Sequence, residues 1–144
     1  MNGATLALKY YGPAHTDGDI SVTFSDVDIL HTGDTYWNGI YPFIDYSTGG
    51  SIDGMIRATD ANLASSSDQT IIIPGHGPPV SNHSELKAFR EMLVAIRDNV
   101  AMLKKQGRSV SETIAAKPTA DFDSKWGQFV IDPAFFTRLV YQGT

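Results

Sequence analysis

His31-Thr32-Gly33-Asp34-Thr35 is the stretch on which the fold of this chain turns, together with Pro13-Ala14-His15-Thr16-Asp17-Gly18-Asp19 before it and Pro74-Gly75-His76-Gly77-Pro78 after it. Each lies beside an apolar, strand-like run and is broken by Gly or Pro, which mark turns. Imidazole and carboxylate are the ligand types that hold zinc while leaving a position open for water. His15, Asp34 and His76 are therefore the candidate metal ligands, expected at strand ends.

Working outward, residues 5–11, 20–24 and 27–30 read as strands, with Ile20, Val22 and Phe24 alternating in the second. Ser51 can cap a helix over 52–65, where Ile52, Met55, Ile56, Thr59 and Leu63 recur at helical spacing. Thr70-Ile71-Ile72-Ile73 is short and β-branched, a buried strand that delivers His76 to a sheet edge. Asn82 and Glu85 then open the longest helix, 83–105, and Lys104 and Lys105 suit its negative end. Its Leu86, Phe89, Leu93, Ile96, Val100 and Leu103 form one narrow apolar stripe. That stripe is expected to pack on the sheet; a coiled-coil surface has the same spacing, but only about two and a half heptads are present.

Ser109-Val110-Ser111-Glu112 carries a capping pattern ahead of a short helix that stops before Pro118, and Asp132-Pro133 opens a last helix over 133–142. Between them, Phe122, Trp126 and Phe129 lack periodicity and read as a loop fastened to the core. Strands come early and helices late, which gives an α/β layered fold, a mixed β-sheet with helices mainly on one face.

With 144 residues, 42% apolar and 19% charged, the chain has the size and composition of one soluble globular domain. A net charge of -5 provides no electrostatic footprint for nucleic acid or an anionic membrane. No cysteine is present, so disulfides and thiolate metal sites are excluded and the redox compartment stays open. The first nine residues carry no leader pattern, and no apolar stretch is long enough to span a bilayer, so the chain as given is expected to be soluble, with no address and no membrane partner.

A hydrolytic metal site needs neutral imidazoles, an ionised carboxylate and a free position where the pKa of bound water falls from about 16 to about 7. Asp34 has two oxygens and can bridge two metals, which makes it the central catalytic candidate. His31, three residues earlier, reads as strand-end packing or a further ligand, and His83 as a solvated helix-start residue. Tyr36, Trp37, Asn38, Tyr41 and Phe43 form an aromatic segment after Asp34, where a small-molecule substrate can stack or hydrogen-bond, or which can pin the loop to the core. Asn38 and Tyr41 are the substrate-binding candidates.

In this order, with helices after the second and third, the three motifs resemble the carboxyl-terminal half of the metallo-β-lactamase-fold hydrolases, and the resemblance covers nearly the whole chain. It implies a half, or truncated, αββα sandwich over residues 1–144, with metals at one edge. By this resemblance His15 completes the three-histidine set of a first metal, Asp34 bridges both metals and His76 binds the second. One or two zinc ions, or other divalent metals, are implied as cofactors, with metal-bound hydroxide attacking a lactam, lactone, ester or thioester carbonyl. The family's His-x-His-x-Asp-His signature is absent: the four histidines are His15, His31, His76 and His83.

Two protein ligands for each metal make a poor catalytic site, so either the site contracts around one metal held by His15, Asp34 and His76, or something completes it. A sandwich cut between its sheets also exposes an apolar inner face that a soluble monomer rarely tolerates. A homodimer or a complementing amino-terminal half is expected to cover it. The alternative to a hydrolase is a non-catalytic truncated fragment or interaction module that needs the same completion.

Overall fold

The computed structural model describes residue 3 and residues 5–144. The reading of the first nine residues as free of a leader thus falls partly outside the described residues, at positions 1, 2 and 4. Nine elements follow in the order β1 (Leu6–Tyr10), β2 (Ile20–Phe24), β3 (Ile29–Trp37), α1 (Ile52–Ala64), β4 (Ile71–His76), α2 (His83–Lys105), α3 (Val110–Ala115), α4 (Asp123–Trp126) and α5 (Pro133–Gly143), with a 3₁₀ turn at Tyr46–Thr48. The sheet order is β1-β2-β3-β4, antiparallel for the first two pairs and parallel for β3 and β4. Parallel neighbours need a crossover, and α1 supplies it. The mixed sheet with its helical layer agrees with the α/β reading.

Local chemistry sets most boundaries. The side chains of Ser51, Asn82, Ser109 and Asp132 each accept a hydrogen bond from an amide in the first turn of the helix that follows. Ser109 and Glu112 form a reciprocal capping box. The element between α3 and α5, read as loop, contains the four-residue α4, too short to produce a periodic signal.

The third strand differs most from expectation. Residues 27 and 28 lie in the hairpin turn, where Asp28 takes a positive φ of 49°, and β3 runs from Ile29 through the whole His31–Asp34 motif to Trp37. Thr32-Gly33-Asp34 reads as a turn, but pairing with β2 on one side and β4 on the other absorbs it. Gly33, at φ 54°, takes up the irregularity as a shift in the β3/β4 register. β4 likewise extends past Ile73 through Pro74 and Gly75, because an edge strand tolerates a missing amide donor.

The core lies between one face of the sheet and the helices. Tyr36 and Ile72 from the strands meet Ile52, Met55 and Ala58 of α1 and Leu86, Phe89, Met92, Leu93, Ile96 and Val100 of α2. The α2 stripe packs chiefly on α1 and α5 and touches β3, rather than lying along the sheet as expected. Phe89 is fully buried, with its ring centroid 5.0 Å from Tyr36 and 5.7 Å from Trp126.

Phe89→Ala should therefore cost about 3–5 kcal/mol in urea unfolding, the range for truncating a buried aromatic. A second expectation concerns alkali. Burial raises the Tyr46 hydroxyl from 10.0 to about 12, and raises those of Tyr36 and Tyr41 further still. Above about pH 10 the unfolded chain releases these protons while the folded chain keeps them, so stability present below that pH is lost as pH rises. The urea midpoint should fall between about pH 9 and about pH 11.

Candidate functional site

Three elements bring the three candidate ligands together. Asp34 projects from within β3 rather than from a strand end. His76 closes β4, and His15 sits in the β1–β2 connection. The Asp34 carboxylate lies between the two imidazoles: His15 Nε2 is 3.6 Å from Oδ2, and His76 Nε2 is 3.3 Å from Oδ1. Two donors bound to one tetrahedral zinc at 2.0–2.1 Å are about 3.3–3.4 Å apart, so each pair has the spacing of neighbouring ligands.

Each side chain is held from behind. His15 Nδ1 donates to the carbonyl of Phe43 at 2.7 Å, which leaves Nε2 as the nitrogen facing Asp34. The loop carrying His15 is anchored through its backbone: Asp45 N donates to His15 O, Ser51 N to Ala14 O, and the Arg57 guanidinium to the carbonyls of Tyr11 and Pro13. Trp37 braces the other side. Its indole lies 3.9 Å from the His76 ring and 5.8 Å from the His15 ring, while Nε1 donates to Asp34 O at 3.1 Å. Gly75 makes room, since a Cβ there would collide with Asp34 Oδ1 and the Gly33 carbonyl.

The two substrate-binding candidates have other work. Asn38 is buried; its Oδ1 accepts from Tyr36 Oη at 2.9 Å, its Nδ2 donates to Pro78 O at 3.2 Å, and its amide donates to His76 O at 2.8 Å. It ties the ends of β3 and β4 together. Tyr41 is buried and stacked on Phe136 at 4.5 Å, and its hydroxyl donates to Asp123 Oδ1 at 2.9 Å. Burial, with the Asp123 carboxylate second, pushes that hydroxyl upward. Both side chains, expected as substrate contacts, are thus engaged in bonds within the fold.

The remaining histidines stay apart from this cluster. His31 accepts from the Gly33 amide through Nδ1, consistent with strand-end hydrogen bonding. His83 is half-buried rather than solvated, because Ser66 Oγ lies 3.1 Å from its Nδ1. Among the described residues, no group of three or more His, Asp or Glu side chains has the spacing to hold a metal ion by itself. The arrangement is two His–Asp pairs sharing one carboxylate.

The positioning roles of Trp37 and of the Phe43 carbonyl escaped sequence reasoning. Trp37 was visible as an aromatic next to Asp34, but its contact with His76 depends on the parallel β3/β4 pairing. The Phe43 contact uses a main-chain oxygen, which no side-chain pattern reveals.

Among the described residues, no helix is long and apolar enough to cross a membrane. No curated protein matches the chain by sequence. Among solved structures, the stereoselective inverting sec-alkylsulfatase Pisa1 from Pseudomonas sp. is similar over 99% of this chain and 24% of its own, at 19% identity and a TM-score of 0.79. A metallo-β-lactamase from Pontibacter korlensis matches over 65% of this chain and 43% of its own, at 18% identity and a TM-score of 0.56. One from Hirschia baltica matches over 61% and 40%, at 21% identity and a TM-score of 0.51. The chain thus spans less than half the length of each, and these likenesses concern the fold. The model of the metallo-β-lactamase superfamily matches residues 2–102, more than half of the sequence. With that match, this chain belongs to the metallo-β-lactamase superfamily, a hydrolase fold.

Proposed function

We propose that this chain carries the Asp34-bearing half of a metal-dependent hydrolytic site, in which His15 and Asp34 hold one zinc ion and Asp34 and His76 a second. The supporting observation is a single carboxylate with an imidazole Nε2 against each of its oxygens, at 3.6 Å and 3.3 Å. Zinc held there would polarise a substrate oxygen and lower the pKa of a water molecule to about 7. The substrate class is a lactam, lactone, ester or thioester carbonyl.

The chain's own residues orient and expose this centre. The Phe43 carbonyl fixes which nitrogen His15 presents, and Trp37 holds the His76 ring and the Asp34 backbone in one arrangement. The Asp34 side chain is 36% exposed and that of His76 47%, so both are open to incoming metal and substrate, whereas His15 is 15% exposed and set deeper. Two protein donors for each ion fall short of the three found at catalytic zinc sites. In this chain alone water fills the remaining positions, and at a completed site they are open to donors from a further polypeptide segment.

The second reading is a module that keeps the fold without the reaction. It is favoured by the absence of any three-donor group among the described residues. Zinc uptake separates the two.

Calorimetric titration with zinc, checked by elemental analysis, should find at least one zinc bound per chain and none in Asp34→Ala. No uptake by the unmodified chain, or unchanged uptake in the variant, would reject the hydrolytic reading in favour of the second. Trp37→Phe keeps an aromatic ring but removes the indole donor to Asp34 O. It should weaken zinc binding by about 10–100-fold, as loss of an outer-shell partner does, with the far-UV circular dichroism unchanged.

A further inference from the structure

The ladder between β3 and β4 is broken at the residues that carry the candidate site. Gly33 pairs with Pro74 and Trp37 with His76, so Asp34, Thr35 and Tyr36 stand opposite Gly75 alone. An irregularity of this kind re-aims the side chains it carries. Side-chain donors close it here. Thr35 Oγ1 donates to the Thr32 carbonyl at 2.7 Å, bracketing Gly33 and Asp34, and Trp37 Nε1 holds the Asp34 carbonyl. Both threonines are buried.

A threonine hydroxyl has one proton and two acceptor lone pairs, so the direction of its bonds depends on what approaches the oxygen. Asn62 decides that direction. It lies fully buried on the inward side of α1, and its Nδ2 donates to Thr35 Oγ1 at 2.9 Å. With a donor already on that oxygen, the hydroxyl proton is left for Thr32. The other end of the same amide, Oδ1, is buried with no hydrogen-bond partner. An amide half unmet inside the core costs stability, and a leucine of similar size would fill the space without that cost. Local rules are broken in this way where a group serves a site. We infer that Asn62 is a positioning residue for the centre at Asp34: through the Thr35 hydroxyl it fixes the break in β3 that sets the carboxylate between His15 and His76. Its effect on zinc rests on the hydrolytic reading; its effect on the strand does not.

Proton–nitrogen correlation NMR of the zinc-free protein reads the break directly, because the Trp37 indole N–H donates to the Asp34 carbonyl. The chain has two tryptophans, and Trp37→Phe assigns their indole resonances. In Asn62→Leu the Trp37 indole should shift and exchange faster with solvent, while that of Trp126 stays in place and the urea midpoint is unchanged or higher. Thr35→Val should move the Trp37 indole in the same way, and Thr35→Ser, which keeps the hydroxyl, should match the unmodified chain. In a zinc titration Asn62→Leu should bind about 10–100-fold more weakly, as on loss of an outer-shell partner. A Trp37 indole unmoved in both Asn62→Leu and Thr35→Val overturns the inference, as does zinc binding by Asn62→Leu as tight as that of the unmodified chain. Faster exchange of both indoles with a fallen urea midpoint assigns Asn62 to packing alone and overturns it too. The expected indole shift in a protein whose unmodified form takes up no zinc upholds the role of Asn62 and rejects the hydrolytic reading instead.

Discussion

The parallel pairing of β3 with β4 is the constraint on which the rest depends. It sets Gly33 opposite Pro74 and Trp37 opposite His76, with register shifts between them. Those shifts let one strand present Asp34 and Trp37 to the end of its neighbour. Parallel pairing also requires a crossover, and α1 then occupies the helical layer and receives α2. Sheet register, helix placement and the meeting of His76 with Asp34 are consequences of the same contact.

Polar groups at this end of the sheet are used for fixing rather than for exposure. Tyr36 Oη reaches Asn38 and lies 2.8 Å from Ser81 Oγ, and Ser81 in turn donates to Glu85 in the first turn of α2. Asn38 continues the chain of bonds to the Pro78 carbonyl. A buried polar network of this kind favours one arrangement over its neighbours. The segments that follow β3 and β4 thereby inherit their positions from the core.

Much of this was legible in the sequence where the signal was local. Ser51, Asn82, Ser109 and Asp132 announce their helices because a cap is a short-range hydrogen bond between residues two or three apart. His15, Asp34 and His76 could be singled out because their residue types and flanking turns are themselves the signal, and the structure does bring them together. What failed was non-local. Thr32-Gly33-Asp34 has the composition of a turn, and only two flanking strands keep it extended. Asn38 and Tyr41 look available for a ligand until Tyr36, Pro78, Phe136 and Asp123, distant in sequence or folded back, take up their polar and aromatic groups.

The bond from His15 to the Phe43 carbonyl has a consequence for how such a centre can change over time. Every residue type supplies a carbonyl, so the orientation of His15 is independent of which side chain stands at position 43. The Phe43 ring lies 5.9 Å from His15 and 6.3 Å from Phe135, at the margin of the cluster. Substitution there can alter the shape and polarity beside the cluster without releasing the imidazole. The fold thus holds the imidazole by a main-chain bond that is indifferent to the side chain at its rim.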